Sequence, residues 1–228
     1  MHPFRGTLRS AFLMVSLLAA TAGSSFALPL LMDYTGFTWT MTQPRQVKLE
    51  SVGVLDGFTP QVQDPSEVYT YYLSDLVLAS QQDVGGGFQL RAYSGGSFQI
   101  FQSTGDLDRP YAYGANPLGA PPSFVDGDLW LRGNFQSFSL LLDTVQNVGT
   151  FSGTGVYDGG LYYPHLDDYD LFTFGGTTRA GGGIPAGYDY RIDGQLRAAI
   201  EPVPEPASLL LLASGLLGSG LAFRRRPR

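Results

Sequence analysis

Cysteine is absent from all 228 residues. No disulfide can staple the chain, and no thiolate is available as nucleophile or metal ligand. Histidine is almost as scarce: apart from His2, only His165 occurs, which excludes a multi-histidine zinc site. Residues 28–203 also lack His-Glu-x-x-His, Gly-x-Ser-x-Gly and a Gly-Lys phosphate loop, the local signatures of zinc hydrolysis, serine hydrolysis and nucleotide binding. Positive charge is sparse there too, with eight basic against 19 acidic side chains, a net of −11. Such a field repels nucleic acid and anionic lipid, so neither is an expected partner. Carboxylates suitable for glycoside hydrolysis are available, as they are in any acidic fold. Without other active-site signals the expectation is a protein that is not an enzyme.

The missing positive charge is concentrated at the two ends. Arg5 and Arg9 precede the apolar run 11–20, and Ser25-Phe26-Ala27 follows with small-x-small spacing. These features read as a signal peptide over 1–27 cut after Ala27, with a second acceptable site after Ala22. At the other end stand Val203-Pro204-Glu205-Pro206, then the uncharged stretch 207–223, then Arg224, Arg225, Arg226 and Arg228. Seventeen helical residues span about 25 Å, enough for a thin bilayer. The arginines hold their end in the cytoplasm. Pro204 and Pro206 bias their predecessors toward extended backbone, so the motif stands outside the helix as an open segment. The expected organisation is a signal peptide (1–27), an exported domain (28–203) and a membrane segment (204–228) with its transmembrane helix at 207–223.

That tail resembles the PEP-CTERM sorting signal of Gram-negative, exopolysaccharide-producing bacteria. The resemblance rests on Val203-Pro204-Glu205-Pro206, the run Leu209–Leu212 continuing through Gly215 and Gly218, and Arg224-Arg225-Arg226. It implies recognition by an integral-membrane exosortase that removes the helix and releases or transfers the exported body. The inner membrane is then a transient anchor of the precursor, and the cell surface or medium the final location. The alternative is a plain anchor that is never cut.

The body reads as β throughout. Phe37, Trp39 and Met41 alternate with Thr38, Thr40 and Thr42, a pattern that puts the threonines on a wet face. Residues 88–93 and 97–102 flank Ser94-Gly95-Gly96 as a hairpin would. Leu129–Arg132 and Phe138–Leu142 read as two strands around Gly133-Asn134. Tyr188, Tyr190, Ile192, Leu196, Ala198 and Ile200 share one face of a last strand. Asp64-Pro65-Ser66-Glu67 could start a helix, but the aromatic and β-branched residues 68–73 favour a strand. Turn signals every eight to twelve residues predict an antiparallel β-sandwich or jelly roll.

Two sets of body residues are candidate sites. Tyr162 and Tyr163, in a loop with His165 and Asp167, are candidates for sugar contact through ring stacking. Asp126 and Asp128 around Gly127, and Asp168 and Asp170 beside Asp167, are weak candidates for calcium, which wants several oxygens on a tight loop. Turn chemistry explains the same aspartates without a metal, and no cofactor is expected. The role these readings favour is a non-catalytic surface or matrix protein linked to exopolysaccharide and biofilm. The alternative is a carbohydrate-binding β-sandwich module, assisted by calcium.

Overall fold

A computed structural model describes residues 29–104, 121–166 and 171–199. The signal peptide, the sorting tail, Asp167, Asp168 and Asp170 lie outside these residues. Contacts divide the chain into a unit at Leu28–Glu201 and another comprising the two ends; the first is the β body. The described residues contain no helix long and apolar enough to cross a membrane, and the expected span at 207–223 falls outside them.

Among the described residues nine strand segments run β1 (Pro29–Gln43), β2 (Gln46–Thr59), β3 (Glu67–Gly85), β4 (Phe88–Ser94), β5 (Ser97–Thr104), β6 (Asp128–Asp143), β7 (Val148–Gly159), β8 (Leu171–Arg179) and β9 (Tyr190–Ala199). Every pairing is antiparallel. β3 and β6 each pair with both β4 and β5, the other pairings join consecutive strands, and β1 also pairs with β9, from Pro29↔Ala199 to Thr38↔Tyr190. The sheet therefore closes on itself. The expected sandwich or jelly roll is wrong: the body is a closed, up-and-down antiparallel barrel. Alternation predicts half-buried strands equally well for both architectures. What distinguishes them is the pairing of first strand with last, 160 residues away, which no local pattern encodes.

The expected hairpin at 94–96 is also corrected. β4 and β5 lie end to end between β3 and β6, with Val77↔Ser94 and Ser74↔Ser97 on one side and Tyr93↔Phe138 and Ser97↔Asn134 on the other. They form one barrel stave with a break in it, which makes eight staves in all. Gly95 and Gly96 adopt φ of 68° and 88°, opposite a β3 bulge where Asp75 has φ of 59°. Positive φ is inexpensive at glycine, so the pair kinks the stave rather than reversing it. Likewise the two strands expected around Gly133-Asn134 are the single strand β6, with register shifts at 132/133 and 135/137. For residues 68–73 the strand reading holds: Asp64 caps a turn by accepting from the Ser66 N–H (2.9 Å), and β3 starts immediately afterwards.

The barrel interior is filled with rings. Tyr34 stacks on Phe174 (centroids 4.6 Å apart) and meets Tyr71 edge-on (5.4 Å). Phe98, Phe135, Phe138, Phe151 and Phe172 pack around them. Several rings lie against inward-facing glycines: a Cβ on Gly53 would stand 2.6 Å from Tyr71 Cε1, and one on Gly155 would overlap the Phe172 ring. Gly-for-ring exchange keeps the packing dense without bending the wall. The pocket between these rings and Thr38, Thr40, Arg91 and Tyr190 holds about 20 Å³, room for a single water. Buried hydroxyls are mostly satisfied. Tyr34 donates to the Gly175 carbonyl (3.1 Å), and Ser51 donates to Phe37 O (3.1 Å), which leaves Tyr71 to donate to Ser51 Oγ (3.2 Å).

Facing is reversed on β1 relative to expectation. Leu30, Met32 and Tyr34 point inward, so Thr38 and Thr40 line one end of the interior, and Phe37, Trp39 and Met41 point outward. These outward rings are not wet, because segments 121–125 and 184–188 fold over them. Trp39 meets Tyr188 edge-on at 5.4 Å, and Phe124 is held there by Thr70 Oγ1 donating to its carbonyl (2.9 Å). The same reversal places Tyr188 outside, while Ile192, Leu196 and Ala198 face inward as expected. Elsewhere the outer face is mostly polar, with Ser137, Ser139, Ser152, Thr154, Arg191 and Asp193 beside a few exposed apolar side chains such as Leu141 and Val148. That is the reverse of a lipid-embedded barrel.

Candidate functional site

β1 begins and β9 ends at one mouth of the barrel, here called the terminal mouth. The loop with the tyrosines caps it. After β7 the chain turns at Gly160 (φ 111°), and Leu161 and Tyr162 donate backbone N–H groups to Leu129 O and Trp130 O. This tie lays the Tyr162 ring flat on Trp130, with centroids 4.5 Å apart and planes 19° from parallel. Trp130 in turn meets Phe58 at 5.5 Å and Tyr69 at 5.3 Å, both edge-on. The four rings make a stopper. Tyr163–His165 form a single 3₁₀ turn, with His165 exposed and 5.1 Å from the Tyr162 ring.

The structure thus brings Tyr162 and His165 together but turns the tyrosine inward. One ring face is spent on Trp130, Tyr163 is half-buried, and burial pushes the Tyr162 hydroxyl pKa up. Its stacking partner lies 32 positions earlier on another strand, which a loop-by-loop reading could not connect.

Asp126 and Asp128 border an open polar hollow of about 420 Å³ with Glu67, Gln102 and Ser103. Both aspartates are exposed, and among the described residues no three His, Cys, Asp or Glu side chains gather closely enough to hold a metal. The hollow follows from turn chemistry, since a Cβ on Gly127 would press on the Gln102 carbonyl at 2.5 Å.

Sequence reading missed three polar features. On β4 the faces are inverted: Phe88 and Leu90 point out, and Arg91 points into the interior with its Nε donating to Gln89 (2.7 Å). Strict alternation showed two faces there and did not say which was inner. Glu50, 3 % exposed on the outer wall, accepts from the Tyr72 hydroxyl (2.8 Å), and burial raises its pKa despite that bond. A hollow of about 650 Å³ in the outer wall of β6–β9 is lined by Ser137, Ser139, Ser152, Thr154, Gln195 and Arg197.

The remaining landmark is the chain beyond β9. Its last ladder residue, Ala199, stands three residues before the sequence that matches the PEP-CTERM protein-sorting motif, residues 202–226. The chain carries a PEP-CTERM sorting motif. The match takes in Val203, Pro204, Glu205 and Pro206 and the arginines through Arg226. The protein is therefore exported and sorted by an exosortase, with processing at the membrane and a surface or extracellular destination. No curated protein and no solved structure matches the chain. The PEP-CTERM motif accounts for the tail, and the barrel must be read on its own geometry.

Proposed function

We propose that the barrel is a non-catalytic structural module delivered to the cell surface or its matrix, and that the exosortase cuts the precursor near Pro204–Pro206. The observation that carries this reading is the filled interior: buried rings occupy the space where an open barrel of this kind would hold a ligand, and the pocket beside them holds about 20 Å³. The acidic, cysteine-free body suits a soluble component outside the cell. Exopolysaccharide is the proposed surrounding, and the inner membrane the precursor's temporary anchor. Intact mass of the protein recovered from envelope and medium tests the cut. A species ending near residue 204–206 is expected, and a mature species that keeps Arg224–Arg228 would overturn it.

Glycan binding is the second reading, and the surface that would suit it better than the half-buried Tyr162 is the outer wall of β6–β9. Hydroxyl groups of Ser137, Ser139, Ser152 and Thr154, with Gln195 and Arg197, border that hollow. Polysaccharide pull-down with the exported protein separates the two sites. Retention lost in Gln195→Ala/Arg197→Ala but kept in Tyr162→Ala would support the wall.

A further inference from the structure

Five of the eight basic side chains between residues 28 and 203 stand at the end opposite the terminal mouth: Arg45, Lys48, Arg91, Arg179 and Arg191. Of these, Arg91 is the one that lines the interior pocket, and it is the only charged side chain there. Its Nε donates to Gln89 (2.7 Å), and the guanidinium also bonds the Tyr93 hydroxyl. Neither bond supplies a full negative charge. Among the described residues the ion pairs are Lys48–Asp75 and Arg132–Asp158, so no carboxylate bridges Arg91. Asp189 stands at the same mouth but is exposed. A guanidinium drawn into a barrel without a counter-charge costs free energy that a bound anion offsets.

The groups around Arg91 favour the same sign of ligand. Thr38, Thr40, Thr178 and Tyr190 bring hydroxyls to the pocket, and the Ser51 hydroxyl is already given to Phe37 O. Every other lining side chain is apolar, and none is a carboxylate. Thr38 and Thr178 are 6 % and 4 % exposed, and among the described residues neither hydroxyl has a hydrogen-bond partner. Buried hydroxyls are seldom left so. The pocket holds about 20 Å³, space for one particle the size of a water. Thr40 is exposed and Arg91 partly so, which gives a way in from the turn end.

We propose that this pocket binds one monovalent anion of halide size, held between the Arg91 guanidinium and the hydroxyls of Thr38 and Thr178. Charge selects the ion over the water that the same volume would take. A water gains hydrogen bonds alone, whereas an anion also offsets the guanidinium where the local dielectric is low. Size excludes sulfate, phosphate and sugar acids, so this is no glycan site. Bound there, the ion ties β4, half of the broken stave, to β1 and β8 across the interior. It is a structural element of the barrel, independent of how the tail is processed.

Chloride itself is the probe. Replacing sodium gluconate by sodium chloride at constant ionic strength should raise the melting temperature of the exported protein by about 4 °C, once chloride exceeds its Kd roughly tenfold. The chlorine-35 NMR line should broaden in the same solution and narrow again when bromide competes. Arg91→Met keeps the length of the side chain and removes its donors, so both responses should vanish. Thr178→Val should weaken chloride binding roughly tenfold. Arg179→Met, at the same end but outside the pocket, should respond as wild type does. A wild-type protein indifferent to chloride, an Arg91→Met protein that still responds, or an equal loss in Arg179→Met would each overturn the site. Should Arg91→Met fail to fold, the wild-type comparison of chloride with gluconate and the Thr178→Val titration decide the matter.

Discussion

The two ends of the barrel are built by opposite strategies. At the terminal mouth the connections are long, 60–66, 105–127 and 160–170, and the opening is plugged by Phe58, Tyr69, Trp130 and Tyr162. Its described charges are mostly acidic: Asp64, Glu67, Asp126, Asp128 and Asp158 against Arg132 and Arg197. At the other end three of the four connections are tight turns, and Arg45, Lys48, Arg91, Arg179 and Arg191 offset Asp75, Asp83, Asp143 and Asp189. There Arg91, Thr38, Thr40 and Tyr190 border the interior, and the exposed apolar residues lie on the outer wall instead. One end hides its aromatic surface inside and presents charge. The other leaves apolar surface outside, where a partner can reach it.

Mutation can break this contrast. The largest effect is expected from Trp130→Ala, which removes the centre of the stopper and should cost about 3–5 kcal/mol in denaturant unfolding of the exported protein. A loss under about 1 kcal/mol would mean that the plug is ornamental. Tyr157→Phe, also in the terminal half, should work the other way. Its hydroxyl is buried without a hydrogen-bond partner, and burial raises its pKa, so removing the oxygen should raise stability by about 1 kcal/mol. At the turn end Val145→Lys, on a side chain 75 % exposed, should change folding stability by no more than about 0.5 kcal/mol.

The smallest effect sharpens the contrast through pH. Burial raises the pKa values of Glu50 and Asp56 above their unfolded values. Their contribution to stability is full below the unfolded carboxylate range and is lost as pH rises through the folded values. Hydrogen bonds from Ser66 lower the pKa of Asp64 at the terminal mouth, so its contribution is present above the unfolded value and lost as pH falls. Melting temperature against pH should therefore flatten on the neutral side in Glu50→Gln and on the acid side in Asp64→Ala. A Glu50→Gln curve parallel to wild type would show that this carboxylate does not titrate with folding.

How much of this was legible in the sequence follows from the range of each signal. The sorting motif is local, an ordered pattern within 25 residues, and it was legible there. Several strand positions were legible too, because the period of two is carried by each strand alone, whereas β2 was not read and β6 was read as two strands. Facing was not. Phe37, Trp39 and Met41 looked like core and are outside, because the cover over them, Phe124 and Tyr188, comes from distant segments. For Phe88 and Leu90 alternation left the inner face open, and it is Arg91 that occupies the inward position. Closure and the Trp130–Tyr162 stack are both products of register between strands, which composition and spacing do not contain.

The ladder between β1 and β9 also dictates when this molecule can finish folding. A meander grows by adding each strand to the one before it, at little cost in loop closure, until the eighth stave is in place. The last step joins residues about 160 apart and removes the only two open edges. Up to that moment β1 offers a long unpaired edge to any neighbouring chain, and so does whichever strand arrived last. A chain lacking β9 has no closed state to reach. The ten residues Tyr190–Ala199 therefore act as the clasp of the whole barrel, and the hazardous period of its folding lasts until they arrive.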